Sequence, residues 1–155
     1  MSELAELGGE APGQPPDFNA RHGRRMAGFL GIRIVEESRD RVLAEIELRD
    51  ELLTANGTLA GGAIMAFADI IGARATILNL PPDTYTTTLE SKTNFFAGCG
   101  RGVVRAEARP LHRGRRTMVW QTQISDSAGR LLAQITQTQM VLPRSDRPAT
   151  RQASD

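Results

Sequence analysis

One carboxylate stands in the most apolar part of this 155-residue chain. Asp69 lies in the run Gly57 to Leu78, GTLAGGAIMAFADIIGARATIL, seven residues beyond Gly62. Its neighbours are Ala66, Phe67, Ala68, Ile70 and Ile71, and the next charge is Arg74. Read as a helix, the run is apolar almost all the way round, which is the pattern of an interior helix. Burying an unpaired carboxylate costs several kcal/mol or forces it to neutralise, and aspartate is a mediocre helix former. An acid kept there despite both costs is a candidate general base or nucleophile.

Other chemistries find little support in the residues. His22 and His112 are far from Asp69 in sequence and fall in segments expected to be structural or exposed, so no Ser-His-Asp arrangement is indicated. The run GCGRG (98–102) lacks the Lys-Ser/Thr ending of a phosphate loop and leads into a strand pattern, so it reads as a turn. Cys99 is the only cysteine, which leaves no intrachain disulfide and no cysteine-based metal site; no metal or separate cofactor is expected. Trp120 and Phe95 read as core residues.

These candidates need elements to hold them. A chain of ~150 residues is long enough for one domain with a sizeable core. It is 40% hydrophobic and 24% charged with net charge +1, so bulk electrostatics give no case for nucleic acid. The acidic, Gly/Pro-rich start MSELAELGGEAPGQPP has no apolar core and does not read as a signal peptide. The longest apolar stretch is broken by Asp69 and Arg74, which argues against a membrane span. A reducing, cytoplasmic setting is the expectation.

Composition predicts disordered tails over residues 1–16 and 144–155 around one domain at 17–143. Phe18 to Leu30 fits a short amphipathic lead-in helix. Ile32–Glu37 and Val42–Leu48 alternate around Ser38-Arg39-Asp40, a hairpin signal. The apolar helix is expected from about Gly61 to Leu80, stopped by Pro81-Pro82. Four strand-like segments follow, at Tyr85–Phe96, Gly102–Leu111, Thr117–Ser125 and Arg130–Leu142, separated by Gly-containing turns. A helix apolar on most of its surface needs a sheet wrapped around it, and its small residues let a curved sheet come close. The expected class is therefore α+β, one long helix inside an antiparallel sheet.

The segment Thr54–Thr76, together with the strand TTLESKTNFFAG, resembles the hotdog-fold thioesterases of the phenylacetate-degradation and 4-hydroxybenzoyl-CoA type. That family's pattern is Asn or Gln, Gly-x-x-His-Gly-Gly, then an acid on the helix, and later Thr-x-Glu, Asn-Phe and a Gly turn. Gly57, Gly61, Gly62, Asp69, Thr88, Glu90, Asn94, Phe95 and Gly98 stand in step with it. Two positions depart: Ala60 stands where the family has His, and Thr54 where it has Asn or Gln; Asn56 lies two residues off as a substitute.

The resemblance implies hydrolysis of an acyl-CoA thioester in a homodimer or homotetramer with the active site between subunits. The Gly61 N–H at a helix N-terminus would polarise the carbonyl, since free amides and the macrodipole there favour negative charge. Asp69 of the partner subunit would attack or activate water, with Thr88 as a hydrogen-bond partner. Thr54, Asn56 and Gly62 would line the substrate, and Arg113, Arg115 and Arg116 could hold the coenzyme A phosphates or merely form a solvated turn. The alternative is a hotdog protein that binds acyl-CoA or another small ligand without hydrolysing it, an option that Ala60 and Thr54 keep open. A hotdog dehydratase ranks lower, because that chemistry relies on a histidine and none lies near the motif.

Overall fold

The computed structural model describes residues 17–21, 23 and 25–146. The expected tail 1–16, residues 147–155 and His22 lie outside them. Residues 144–146, also assigned to the tail, form a single 3-10 turn. The lead-in helix is two short pieces, α1 (Phe18–Arg21) and α2 (Met26–Leu30), with Gly23 between them. Gly31 ends α2 in the left-handed region at φ 69°, a conformation that glycine adopts without a Cβ penalty.

The hairpin forms as expected, β1 (Arg33–Glu37) against β2 (Val42–Glu47). Its turn is set by Ser38, whose Oγ accepts the N–H groups of Asp40 and Arg41. The long helix α3 spans Gly61–Ile77 and stops three residues before the expected Leu80. Asn79 explains the earlier stop: its Nδ2 donates to Ala75 O and to Arg39 O, both at 2.9 Å. The side chain thereby satisfies the Ala75 carbonyl that the helix end would orphan and ties that end to the hairpin turn, and the chain turns out before Pro81-Pro82.

Four long strands follow: β3 (Thr84–Phe95), β4 (Val103–Arg113), β5 (Thr117–Asp126) and β6 (Leu131–Pro143). The six strands make one antiparallel sheet in the order β1-β2-β4-β5-β6-β3. The sheet curves around α3, which packs against β2, β4, β5, β6 and β3. Phe67 and Ile71 of the helix meet Ile46, Val104, Trp120, Ile124, Leu132 and Ile135 in a common, fully buried core. Burying each such side chain stabilises by roughly 1.5–3 kcal/mol. This is the hotdog arrangement.

The helix is less interior than its composition suggests. Arg74 is buried and reaches β1, where Nε and Nη2 donate to the two oxygens of Glu37 at 2.8 and 2.6 Å. One flank of α3 is uncovered: Gly62, Met65 and Ile77 are exposed, and Ala66, Asp69, Ile70 and Ala73 are half-buried. These positions recur at helical spacing, so they form one open, mostly apolar stripe. Beside it runs the edge strand β3, whose residues 87–92 are all exposed.

Candidate active site

The entrance to α3 is built from backbone. Thr54 N donates to Thr58 O at 2.7 Å and Gly57 N to Thr54 O at 2.8 Å, with Gly57 at φ 74°. The 96–102 segment braces this turn: Leu59 N donates to Cys99 O at 2.7 Å, and Gly100 lies so close to Gly57 O that a Cβ has no room. Ala60 is the N-cap, at φ −64° and ψ 137°, and offers no side-chain cap. The N–H groups of Gly61 and Gly62 therefore begin the helix without an intrahelical acceptor, where the macrodipole adds about half a positive charge. Gly62 faces open space. A Cβ on Gly61 would meet the Phe95 ring at 3.3 Å. Phe95, expected in the core, is instead 53% exposed and covers the helix entrance.

Asp69 is neither fully buried nor unpaired, contrary to the reading of its neighbours. It sits half-buried on the open flank of α3. Its Oδ1 accepts from Thr88 Oγ1 at 2.7 Å and from Gln137 Nε2 at 2.6 Å. Among the described residues nothing donates to Oδ2. That leaves one carboxylate oxygen held and the other free to take a proton or form a bond, as a base or nucleophile requires. The helix carries Asp69 eight residues past Gly61, which at 1.5 Å per residue separates them by about 12 Å.

The other candidates scatter. Thr54 is exposed and its Oγ1 lies 3.2 Å from Thr58 Oγ1, within the entrance turn. Asn56 is exposed at the tip of the same turn. Arg113 is committed to the far end of the helix: Nη1 donates to Arg39 O at 3.1 Å and to Asn79 Oδ1 at 3.3 Å, and pairs with Asp40 at 2.8 Å. Arg115 and Arg116 instead border a groove of about 500 Å³ with Pro81, Thr84, Met140 and Leu142. Ala60 lines a separate apolar cleft of about 250 Å³, with Met26, Phe29, Leu52, Ala63 and Ala66. Within one chain, then, the structure gathers Asp69 and Thr88, and leaves Gly61 and the arginines at opposite ends of α3.

Two residues that sequence reasoning missed are in contact with the acid. Gln137 and Gln139 are fully buried on β6, and Gln139 Nε2 donates to Thr88 Oγ1 at 2.9 Å. They occupy the same inward phase as Ile135 and Val141. Two amides on the apolar phase of a strand are the signal that could have found them. Among the described residues no three of His, Cys, Asp and Glu converge as a metal site would, and no helix is long and apolar enough to cross a membrane.

Comparison with known proteins agrees with this fold. The family model described as the thioesterase superfamily matches residues 56–133. The chain is 34% identical over 114 residues to the 1,4-dihydroxy-2-naphthoyl-CoA hydrolase of Escherichia coli, covering 74% of this chain and 84% of that one. Its fold superposes on a mutant thioesterase of Pseudomonas aeruginosa with TM-score 0.79 at 30% identity, covering 84% of this chain and 96% of the other. A hypothetical thioesterase of Streptococcus pneumoniae, solved with coenzyme A, shares the fold at TM-score 0.67 and 24% identity, covering 72% and 86%. With the residues from Asn56 through Asp69 and Thr88 to Ala133 inside the family match, and the same wrapped helix in its relatives, this chain belongs to the thioesterase superfamily of hotdog proteins.

Proposed function

We propose that the protein hydrolyses an acyl-CoA thioester in a site assembled from two chains. The observation that carries this reading is Asp69 itself, with Oδ1 held by Thr88 and Gln137 and Oδ2 open on an uncovered helix flank. A thioester whose oxygen rests on the Gly61 N–H and whose carbon is attacked from Asp69 needs both groups within about 3 Å of the reacting atoms. Their separation of about 12 Å along one helix rules that out within a chain. A two-fold pairing of the open flanks sets Gly61 of one chain against the partner's Asp69, and the reverse, with the helices antiparallel. The exposed β3 edge supports the same assembly, since pairing removes an open edge. Sedimentation should accordingly give at least twice the 16.9 kDa of one chain.

In that site Asp69 Oδ2 takes a proton from water as the water oxygen bonds to the carbonyl carbon, or bonds to that carbon itself. Negative charge collects on the carbonyl oxygen, facing the Gly61 N–H and the helix dipole. When water attacks, collapse breaks the C–S bond, the proton held on Asp69 passes to the leaving sulfur, and the acid and the coenzyme A thiol depart. When Asp69 attacks, collapse expels the sulfur as thiolate and a water then hydrolyses the Asp69 anhydride, releasing the acid and restoring the carboxylate. Relatives of this chain include a hydrolase of an aromatic acyl-CoA and a thioesterase solved with coenzyme A, which supports a CoA thioester as the substrate class.

Arg115 and Arg116 suit the phosphates, because Arg113 is already engaged by Asp40 and Asn79. Replacing both Arg115 and Arg116 by Ala should raise KM for acyl-CoA by roughly threefold to thirtyfold with kcat held, the mark of lost uniform binding. KM for the corresponding pantetheine thioester, which lacks the nucleotide phosphates, should not move.

A screen of short, long and aromatic acyl-CoAs for thiol release tests the activity. Ala60 stands in the wall of the apolar cleft, so Ala60→His should fill it and change the order of preferred acyl groups more than it creates turnover. The second reading, a binding protein, is favoured by Ala60 and by the tie of Thr54 to Thr58. It expects no turnover of any acyl-CoA by the natural chain, and turnover only after Ala60→His.

A further inference from the structure

Gln137 and Gln139 are an expensive choice for the inner face of β6. Gln137 leaves Oε1 buried without a partner, and that oxygen lies where a Cβ on Gly72 would stand. An orphan acceptor and a glycine in the middle of a helix both destabilise, and packing alone gives no reason for either. What the amide does provide is donation. Its Nε2 is 2.6 Å from Asp69 Oδ1, 3.3 Å from Asp69 O and 3.3 Å from Thr88 Oγ1.

The Gln137 amide has one workable orientation. An Oε1 turned toward Asp69 would set oxygen against a carboxylate, so Nε2 must face the acid and Oε1 must face Gly72. Gln139 Oε1 accepts from Thr86 Oγ1 at 2.8 Å, and its Nε2 donates to Thr88 Oγ1 at 2.9 Å. Having accepted there, the Thr88 hydroxyl points its single proton at Asp69 Oδ1.

We propose that Gln137 and Gln139 are positioning residues that, through direct donation and through Thr88, tie Asp69 Oδ1 to β6 and present Oδ2 alone to the thioester. Neither touches the reacting atoms; both act through Asp69. The inference rests on Asp69 being the base or nucleophile proposed above.

The test uses Gln137→Met, which keeps an unbranched side chain of similar length but has neither donor nor orphan acceptor. Expected are a kcat lowered about tenfold or more, KM within about twofold, and a Tm equal to or above that of the natural chain. Adding Gln137→Met to Asp69→Asn should cost nothing further, because both changes disable one device. A merely structural glutamine gives the opposite pattern, with Tm and activity falling together. If Gln137→Met does not fold, Gly72→Ala serves instead, since its Cβ displaces the Gln137 amide from the other side; kcat should fall while KM holds. An unchanged kcat, or a loss that follows only a lowered Tm, overturns the proposal. Asp69→Asn retaining turnover would sink the activity reading itself, whereas an inactive Asp69→Asn beside a fully active Gln137→Met would sink only this inference.

Discussion

Asp69→Asn is expected to lower kcat for acyl-CoA by roughly 10²–10⁴, the range of a general-base contribution. The change is nearly isosteric. Asn Oδ1 can still accept from Thr88 Oγ1 and from Gln137 Nε2, which now hold Asp69 at 2.7 and 2.6 Å. What disappears is the free Oδ2, replaced by an amide nitrogen that can neither take a proton from water nor attack a carbonyl. The fold has little reason to change, because Asp69 is half-buried at the surface of α3 and the core beneath it is Phe67 and Ile71. Oligomer mass and Tm should therefore match the natural chain while turnover collapses. Turnover within about threefold of the natural chain would make the carboxylate a structural group.

Gly61→Pro should remove the other half of the chemistry without disturbing the helix. Gly61 is the first helical residue, the position at which proline is best tolerated because no intrahelical bond is lost. The preceding residue is already suited to a proline: Ala60 sits at φ −64° and ψ 137°, within the extended region that a residue before proline prefers. The ring meets Phe95, 3.3 Å from an ideal Cβ, an exposed side chain with room to shift. The substitution thus deletes one N–H at the helix N-terminus, and loss of such a donor costs about 10²–10³ in kcat.

The two variants together test whether the site is shared between chains. Each alone is expected to be nearly inactive. In a mixed dimer, one of the two sites pairs an intact Gly61 from one chain with an intact Asp69 from the other. Random pairing of equal amounts should then recover about a quarter of natural activity. Sites complete within single chains would recover none, because every chain carries one defect.

Much of this protein was legible in the residues because the signals are local. The hairpin comes from alternation around a polar turn, and the long helix from a continuous apolar run opened by a glycine pair and stopped by Pro81-Pro82. The four following strands come from segments set off by Gly-containing turns, and each of these signals depends only on near neighbours. The spacing of Gly61, Gly62 and Asp69 is also local, since a helix rises by a constant step per residue. That alone places the acid well away from the helix end and points to a second chain.

Tertiary structure decided the rest. A strand's alternation says which side faces inward but not which strand lies beside it, so β3, next in sequence after α3, was free to sit anywhere in the sheet. Its place at the edge beside β6 brings Thr88, 19 residues on, and Gln137, 68 residues on, to one oxygen of Asp69. The lead-in helix broke around Gly23, and Phe95 left the core for the helix entrance, because packing partners far along the chain settled both. The same long-range choices separated Arg113, drawn to Asp40 and Asn79, from Arg115 and Arg116 beside their groove. Side-chain type and spacing determined which groups this chain has for chemistry; non-local strand pairing, which no short window of sequence encodes, decided which of them meet.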